Sequence, residues 1–202
     1  MLDNILESKV RNKILIFMIL FNNNVIHLDK ILLHLNISEV YLKDLVNELN
    51  LSLNGKATIE FQKNKQIKIM LNENVCYLEI LHIIYQESFI LKYFDIIINN
   101  HENQPFSVFI EQNYHSVANA YRIKNKAEKF LNQIGLATSK NQLIGPEYRI
   151  RFFIAILHSQ YGIRYKVISA EDINQLYQKD NCIILLHPKF SSFIDENQIH
   201  PT

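Results

Sequence analysis

Apolar residues recur every three or four positions near the start of the chain, and this spacing predicts a helix with one buried face. The apolar stripe of this helix consists of Leu6, Val10, Ile14, Phe17 and Phe21. Asn22-Asn23-Asn24 interrupts the stripe, and Leu28 to Leu35 carries a second, shorter helical pattern. Asn36-Ile37-Ser38 is a predicted turn, because Ser38 suits the N-cap of a third helix. The inner face of that third helix is formed by Leu42, Val46 and Leu49.

After Asn54-Gly55 the hydrophobic period changes from that of a helix to the alternation of a strand. Lys63-Asn64-Lys65 is a polar tip between two such stretches, whose pattern positions are Thr58, Ile59 and Phe61 and then Ile67, Ile69 and Leu71. Helix, helix, turn, helix and hairpin is the element order of a winged helix-turn-helix. The sequence predicts one over residues 5–72.

The same order begins again in the second half of the chain. Val75 to Gln86 and Phe89 to Ile98 are apolar at helical spacing, and Pro105 suits the first turn of a further helix. Ser107 to Asn113 is the predicted short helix, and Tyr114-His115 is the predicted turn. The apolar positions of the stretch Val75 to Gln86 are Leu78, Leu81, Ile84 and Tyr85.

Ser116 to Ile134 is the predicted recognition helix of this second unit. Gly135 suits a left-handed C-cap, Ala137 to Ile144 is the predicted wing, and Glu147 to Gln160 is the helix that packs behind it. The predicted buried stripe of the recognition helix is Ala120, Ala127, Phe130 or Leu131, and Ile134. The two halves differ in residue identity but share the order of their elements.

These patterns predict a mainly α fold with two tandem winged helix-turn-helix domains that carry small β-hairpin wings. The predicted domains are residues 1–72, residues 73–164 and a C-terminal extension at residues 165–202. In the extension, Ala170 to Lys179 has a helical pattern, and Cys182 to Leu186 suits a buried strand or part of a helix.

Composition supports a globular, mainly helical protein. Hydrophobic residues make up 48% of the chain, and glycine and proline number only four each, which disfavours folds that need many tight turns. Cys76 and Cys182 lie far apart in sequence, so we expect two buried, reduced thiols. The N-terminus lacks the features of a signal peptide, and we expect a cytoplasmic protein without a membrane partner.

Charge distinguishes the two predicted recognition helices. Ser116 to Ile134 contains four cations and one anion, a net charge of +3, whereas Ser38 to Asn50 contains one cation and three anions, a net charge of −2. Phosphates attract the first set and repel the second. We therefore expect double-stranded DNA as the partner, with the second unit dominating its affinity.

Side-chain chemistry selects the residues of the second recognition helix that could contact DNA. Arginine suits guanine and asparagine suits adenine, so Arg122, Asn119 and Asn125 are the predicted base readers. Ser116 and Tyr121 are predicted phosphate or sugar contacts. Lys124, Lys126 and Lys129 span more than one helix face, so some of them contribute only to the general field.

The first unit contributes fewer candidate contacts. Lys43 and Asn47 lie on its recognition helix, and Lys63 and Lys65 at its hairpin tip could clamp a phosphate. Lysines at such a tip also protect an edge strand from aggregation, and both interpretations stay open. Three cations of the first helix are expected to promote solubility, with phosphate contact as the alternative: Lys9, Arg11 and Lys13.

No enzymatic, cofactor or metal motif is recognisable in the sequence. The four glycines are scattered, so they form no phosphate-binding loop, and the carboxylates are dispersed. No pair of the eight histidines has the helical ligand spacing of three or four, and we expect histidines at the surface or at the edge of the core. The tyrosines and phenylalanines sit at helical spacing and are predicted to lie in the core. No small-molecule substrate is evident.

The second half resembles the second helix-turn-helix of the Mga and AtxA type regulators. The residues that carry this resemblance are Ser116, Ala120-Tyr121-Arg122, Phe130-Leu131, Gly135-Leu136, Leu143-Ile144-Gly145, Ile150-Arg151-Phe152-Phe153 and Tyr161-Gly162. The first half is similar to the first helix-turn-helix of the same family at Leu28, Leu35-Asn36-Ile37-Ser38 and Val46-Asn47-Glu48-Leu49-Asn50, a less specific match.

The resemblance implies a transcriptional regulator of low-GC Gram-positive bacteria, of a type that often controls virulence genes. Such proteins usually continue into sugar-phosphotransfer regulation domains, which carry phosphohistidines and drive oligomerisation. Residues 165–202 are expected to hold at most the start of such a domain. The chain alone is expected to be a monomer or a weak homodimer.

Two functions are therefore open at the level of sequence. The first is a sequence-specific DNA-binding transcriptional regulator, with the helix Ser116 to Ile134 in the major groove and the wings on the backbone. The second is a winged-helix module for protein interaction or dimerisation that does not bind DNA directly.

Overall fold

A computed structural model of the chain describes residues 2–73, 75–99, 105–113 and 116–165. The predicted turn Tyr114-His115 and the predicted elements Ala170 to Lys179 and Cys182 to Leu186 lie outside the described residues. The α-helices are α1 (Ser8–Asn23), α2 (Leu28–Leu35), α3 (Glu39–Leu53), α4 (Tyr77–Tyr85), α5 (Phe89–Asn99), α6 (Phe106–Gln112), α7 (Val117–Gln133) and α8 (Glu147–Tyr161). The strands are β1 (Val25–His27), β2 (Ala57–Phe61), β3 (Gln66–Leu71), β4 (Ala137–Ser139) and β5 (Gln142–Ile144).

The first half is a helix-turn-helix with a three-stranded antiparallel wing. Asn36 ends α2 in the left-handed region at φ 52°, and the Ser38 hydroxyl accepts a hydrogen bond from the Tyr41 backbone N–H at 3.2 Å. Together they make the turn and start the recognition helix α3. The strand order is β1-β3-β2, and the sequence patterns had predicted β2 and β3 but not β1.

Asn50 fastens this wing to α3. Its side-chain Nδ2 donates to the Ile59 carbonyl at 2.9 Å, and its Oδ1 accepts from the Ile59 N–H at 2.8 Å. One side chain thus satisfies both backbone groups of a residue in β2, and the edge strand keeps a fixed position relative to the recognition helix.

The second half repeats this order with a smaller wing. Ser116 caps α7 by accepting from the Asn119 N–H at 3.3 Å, and Gly135 follows the helix at φ 73°. Strands β4 and β5 pair in antiparallel register, and their connection has two consecutive positive φ angles, 48° at Lys140 and 57° at Asn141. This is the backbone of a type I′ hairpin turn, in which asparagine is well tolerated.

Residues before α1 pack on the second half. The Asp3 carboxylate accepts from the Tyr85 hydroxyl at 3.2 Å and from the Tyr161 hydroxyl at 3.1 Å. Burial raises the pKa of both phenols, and the neighbouring carboxylate raises it further. Glu7 accepts from the Ser88 hydroxyl at 2.7 Å and from the Ile90 N–H at 3.2 Å, so it satisfies the start of α5.

The mainly α prediction and the order of elements are confirmed, whereas several predicted burial assignments are wrong. Leu78 is exposed and α4 buries Ile80 in addition to the predicted Leu81, Ile84 and Tyr85. In α7 the structure decides between the alternatives Phe130 and Leu131 in favour of Leu131, whereas Ile134, predicted in the buried stripe, is only partly buried. Cys76, expected in the core, is exposed just before α4, and Cys182 lies outside the described residues.

Candidate nucleic-acid interface

Helix α7 turns one apolar row to the core and a different row to solvent. The buried row is Ala120, Ile123, Ala127 and Leu131. On the other side, residues at spacings of four, three and four are exposed: Ala118, Arg122, Asn125 and Lys129. Residues so spaced lie on one helix face, and we call this set the α7 outer row. It begins in the first turn, the part of a recognition helix that reaches base edges.

Asn119 supports the Arg122 guanidinium. Arg122 Nη2 donates to Asn119 Oδ1 at 2.9 Å, and Asn119 itself is half-buried beside the Ser116 cap. A guanidinium carries five N–H donors in a rigid fork, so this bond fixes its plane and leaves donors for another acceptor. The structure therefore places the predicted base reader Asn119 beside the outer row rather than in it.

Tyr121 and Lys126 lie on opposite flanks of the outer row. Tyr121 is 49% exposed, and its ring meets the Phe106 ring edge-on with the centroids 5.3 Å apart. Contact with α6 thus orients the Tyr121 ring, and its phosphate or sugar contact stays a prediction. Lys126 is exposed on the other flank.

Lys124 points away from the outer row. Its ammonium lies 4.9 Å from the centre of the Phe106 ring and 3.9 Å from the Glu128 carboxylate. The same carboxylate accepts from the Thr138 hydroxyl at 2.7 Å, which ties α7 to the wing. Since Lys124 and Glu128 pair on the inner flank, the three remaining cations still give the outward side of α7 its positive charge.

Each wing carries lysine at its tip. Lys63 and Lys65 are exposed between β2 and β3, and the Lys65 carbonyl accepts from the Leu28 N–H at 2.8 Å, which joins the tip to the start of α2. Lys140 is exposed in the turn between β4 and β5. Lys140 was not among the DNA contacts predicted from the sequence, although a lysine next to asparagine in a two-residue hairpin turn was a sufficient signal for a positively charged wing tip.

The recognition helix of the first half has a mixed outward face. Its exposed side chains include Val40, Lys43, Asp44, Asn47 and Leu51. Val40 is 71% exposed and Leu51 is 81% exposed, so the face presents methyl groups beside an amide and two opposite charges. Lys43 lies 2.7 Å from Glu39, an ion pair between residues four positions apart on the helix.

The net charge counted for this helix from the sequence overstates the negative charge that α3 presents outward, because Glu48 is paired with two lysines of α1. Lys9 contacts one Glu48 oxygen at 2.7 Å and Lys13 contacts the other at 3.0 Å. The hydrogen bond from Lys9 lowers the pKa of Glu48 below its ordinary value.

Lys13 was expected at the surface and is instead 2% exposed. It also lies 2.5 Å from Glu87, whose other oxygen accepts from the Ser52 hydroxyl at 2.6 Å. Lys13 therefore holds α1, α3 and the α4–α5 connection together. Its role is structural, so the expectation of solubility or phosphate contact is wrong for this residue.

Two family models match the chain and together cover both helix-turn-helix units. The Mga helix-turn-helix domain matches residues 73–158. The M protein trans-acting positive regulator (MGA) HTH domain matches residues 7–65. The chain belongs to the Mga-type helix-turn-helix regulators. A comparison with curated proteins found no match.

Mga-type helix-turn-helix domains define a family of DNA-binding transcription regulators. Within this Mga-type scaffold the structure brings five of the predicted contacts together on or beside the α7 outer row: Arg122 and Asn125 in the row, and Asn119, Tyr121 and Lys126 beside it. Lys43 and Asn47 share the outward face of α3, and Lys63 and Lys65 lie apart from them at the wing tip. DNA contact by each of these residues stays a prediction.

Among the residues described, no group of three histidine, cysteine or acidic side chains is arranged to hold a metal ion. None of the described helices is both long enough and apolar enough to cross a membrane.

Proposed function

We propose that this chain binds double-stranded DNA in a sequence-specific manner, with α7 inserted in the major groove and the wings on the flanking backbone. The observation that carries the proposal is the α7 outer row, in which Arg122, Asn125 and Lys129 are exposed together while the opposite face is buried. These side chains combine a guanine-binding fork, an adenine-binding amide and a phosphate-binding cation.

The geometry around this row supports groove insertion. The Ser116 cap and Gly135 delimit the helix, and Lys140 extends the positive surface to the wing tip. A wing lysine and a recognition helix on one winged unit are able to contact neighbouring parts of one duplex, so the wing would set the angle at which the helix enters.

The first test is the salt dependence of duplex binding by the full chain. Each phosphate that the protein neutralises releases counterions, so the affinity for the duplex should fall steeply as the salt concentration rises from roughly 50 to roughly 200 mM. Fluorescence anisotropy with a duplex selected from a random pool measures this slope. Binding that is equally tight at both salt concentrations, or absent at low salt, contradicts the proposal.

The second test separates base reading by Arg122 from its charge. Arg122→Ala should cost about 1–3 kcal/mol of binding free energy on the selected duplex and should relax the preference for one base pair. Arg11→Ala is the matched control, because Arg11 is also an exposed arginine but lies on α1. Equal losses in the two variants would mean that Arg122 acts only through the general field.

One observation favours a second function, a protein contact made without DNA. Tyr148 and Phe152 are 67% and 68% exposed on α8, and Ala155 and Ser159 continue the same face at spacings of three and four. Sedimentation velocity of the wild type and of Phe152→Ala distinguishes this role. Concentration-dependent association that Phe152→Ala abolishes, together with no duplex binding at low salt, would support the interaction module instead.

A further inference from the structure

The two recognition helices begin with the same capping geometry. Ser38 Oγ accepts from the backbone N–H three residues later, and so does Ser116 Oγ. The helices can therefore be aligned from their caps without a gap. In this alignment four of the five buried positions of α3 coincide with buried positions of α7: Leu42 with Ala120, Leu45 with Ile123, Leu49 with Ala127, and Leu53 with Leu131. The fifth, Val46, aligns with the partly buried Lys124.

The outward positions of the aligned helices also coincide. The second residue is small or branched and apolar in both helices, Val40 in α3 and Ala118 in α7, and both are exposed. The ninth residue is an exposed asparagine in both, Asn47 and Asn125. The shared chemistry at two outward positions is not required by packing, because neither position touches the core.

Each shared position matches a feature of the major groove. An apolar side chain suits the thymine methyl group, and asparagine suits the N6 and N7 edge of adenine. Both features belong to A·T pairs, so the second and ninth residues of the two helices would read the same kind of base pair.

The sixth position differs in a complementary way. It is Asp44 in α3 and Arg122 in α7, and both are exposed. A carboxylate accepts from the N4 amino group of cytosine, whereas a guanidinium donates to O6 and N7 of guanine. Aspartate and arginine at one position therefore select a C·G pair in opposite orientations.

We propose that α3 and α7 read DNA in one common frame, so that the binding site contains two related subsites. Each subsite would place A·T pairs opposite the second and ninth residues, and a single G·C pair between them would be inverted between the α3 subsite and the α7 subsite. The proposal rests on the proposed DNA-binding function and adds the base chemistry of both contacts.

The charges around α3 are compatible with its entry into a groove. Glu39 pairs with Lys43, and Glu48 is held by Lys9 and Lys13. Asp44 is then left as an acidic group on the outward face at the position where the frame needs an acceptor. Lys63 and Lys65 supply positive charge at the wing of the same half.

The decisive experiment replaces the residue at the sixth position. Sequences bound by the full wild-type chain are selected from random duplexes, and the selection is repeated with Asp44→Arg. The variant should invert the preferred G·C pair in the α3 subsite, changing the ratio of the two orientations by roughly 5- to 150-fold, and should leave the α7 subsite unaltered.

Asp29→Arg is the matched control for the added charge, because Asp29 is an exposed aspartate on α2. It should tighten binding to all sequences without altering a base preference. An Asp44→Arg selection identical to that of Asp29→Arg overturns the common frame.

A second experiment tests the apolar position. Replacing the relevant thymine of the α3 subsite by deoxyuridine removes one methyl group and should weaken wild-type binding by roughly fourfold. Val40→Ser should bind both duplexes equally, whereas Leu33→Ser, a change at an exposed leucine on α2, should keep the wild-type difference.

The outcomes separate this inference from the function on which it rests. Salt-dependent, Arg122-dependent binding with no effect of Asp44→Arg on base preference and no effect of deoxyuridine overturns the common frame alone. Absence of any duplex binding by the full chain overturns both.

Discussion

The buried face of α3 consists mainly of leucines and lies beside the buried Lys13 of α1. The buried face of α7 consists of two alanines, an isoleucine and a leucine and lies among aromatic rings. Helix α3 brings its own leucines to its contact, whereas the contact of α7 combines rings from α5 and α8 with its own Phe130. Phe94 packs against Phe130 and Phe153 with centroid distances of 6.1 and 5.2 Å.

The difference teaches that the inner and outer faces of these helices vary independently. The inner faces have exchanged large residues for small ones while the capping serine and the outward asparagine stay in register. A counted charge is also a poor guide to the outer face, because Glu48 is neutralised by lysines from α1 and Glu39 by Lys43.

The largest expected effect comes from breaking the support of α3. Lys13→Met keeps the apolar stem but removes the charge between Glu48 and Glu87, and we expect a loss of about 3 kcal/mol in the free energy of unfolding. Both carboxylates keep some contact with water, so the loss should lie at the lower end for a buried pair. Urea unfolding followed by circular dichroism measures it.

Lys9→Met provides the control, since Lys9 contacts the same Glu48 but its side chain is 52% exposed. An exposed pair should contribute less than about 1 kcal/mol. Equal stability of Lys13→Met and wild type would show that the buried lysine does not hold the first half together.

The next effect compares the glycines that follow the two recognition helices. Gly55 and Gly135 both have positive φ, 79° and 73°, so alanine at either should cost about 1–2 kcal/mol of stability. Around Gly55 an added Cβ meets nothing within 4 Å, whereas at Gly135 it would collide with the Arg149 guanidinium. That guanidinium donates to the Ile134 carbonyl at 3.1 Å, and the bond must break.

Gly135→Ala should therefore be the more destabilising variant of the two, as measured by thermal unfolding. Gly135→Ala in combination with Arg149→Ala should recover the part of the loss that comes from the collision. If Gly55→Ala is the worse of the two, the packing around Arg149 does not secure the end of α7.

The wings give a smaller effect that tests whether both halves touch the backbone. Lys140→Ala and Lys65→Ala should each reduce the slope of log affinity against log salt by about one, because one phosphate contact is lost. Lys30→Ala, an exposed lysine on α2, is the control. A reduced slope for Lys140→Ala alone would assign backbone contact to the second wing only.

The smallest effect is expected in the pH dependence of stability. The pKa of Glu48 is lower in the folded chain than in the unfolded one, chiefly through the hydrogen bond from Lys9. Its stabilising contribution is therefore present above the ordinary carboxylate pKa and is lost as pH falls through the lowered value. Glu48→Gln should flatten the fall in stability as pH decreases below about 5, as measured by urea unfolding.

Local patterns predicted most of the fold. Helix α2 begins and ends at the predicted residues, the Ser38 cap was predicted, and α7 begins directly after Ser116, the predicted start of the second recognition helix. Both hairpins lie where the alternating pattern or the preceding glycine predicted them. These features depend on residues within one or two turns of each other, so the sequence carries them directly. The boundaries of the three predicted domains stay a prediction.

What sequence reasoning missed depends on contacts between distant residues. Strand β1 has three residues and exists because it pairs with β3, some forty positions later. Lys13 is buried only because Glu48 and Glu87 converge on it. The exposure of Tyr148 and Phe152 is also a tertiary result, since the opposite face of α8 already fills the core.

The candidate site was predicted in part for the same reason. Helical spacing was sufficient to put Arg122 and Asn125 on one face, and it also identifies Lys129, seven residues after Arg122. The inward turn of Lys124 depends on the Phe106 ring and on Glu128, and the support of Arg122 by Asn119 depends on rotamers. Neither can be read from composition or spacing.

The bond between Tyr161 and Asp3 spans 158 positions of the chain, and it has a consequence for synthesis. Asp3 is synthesised long before Tyr161, the last residue of α8, so this contact must wait until α8 has been made. Closing so long a loop is slow compared with forming a helix. The first helix-turn-helix can thus be synthesised before Asp3 contacts the second half. A bulky fusion joined next to Asp3 would interfere with the formation of this contact.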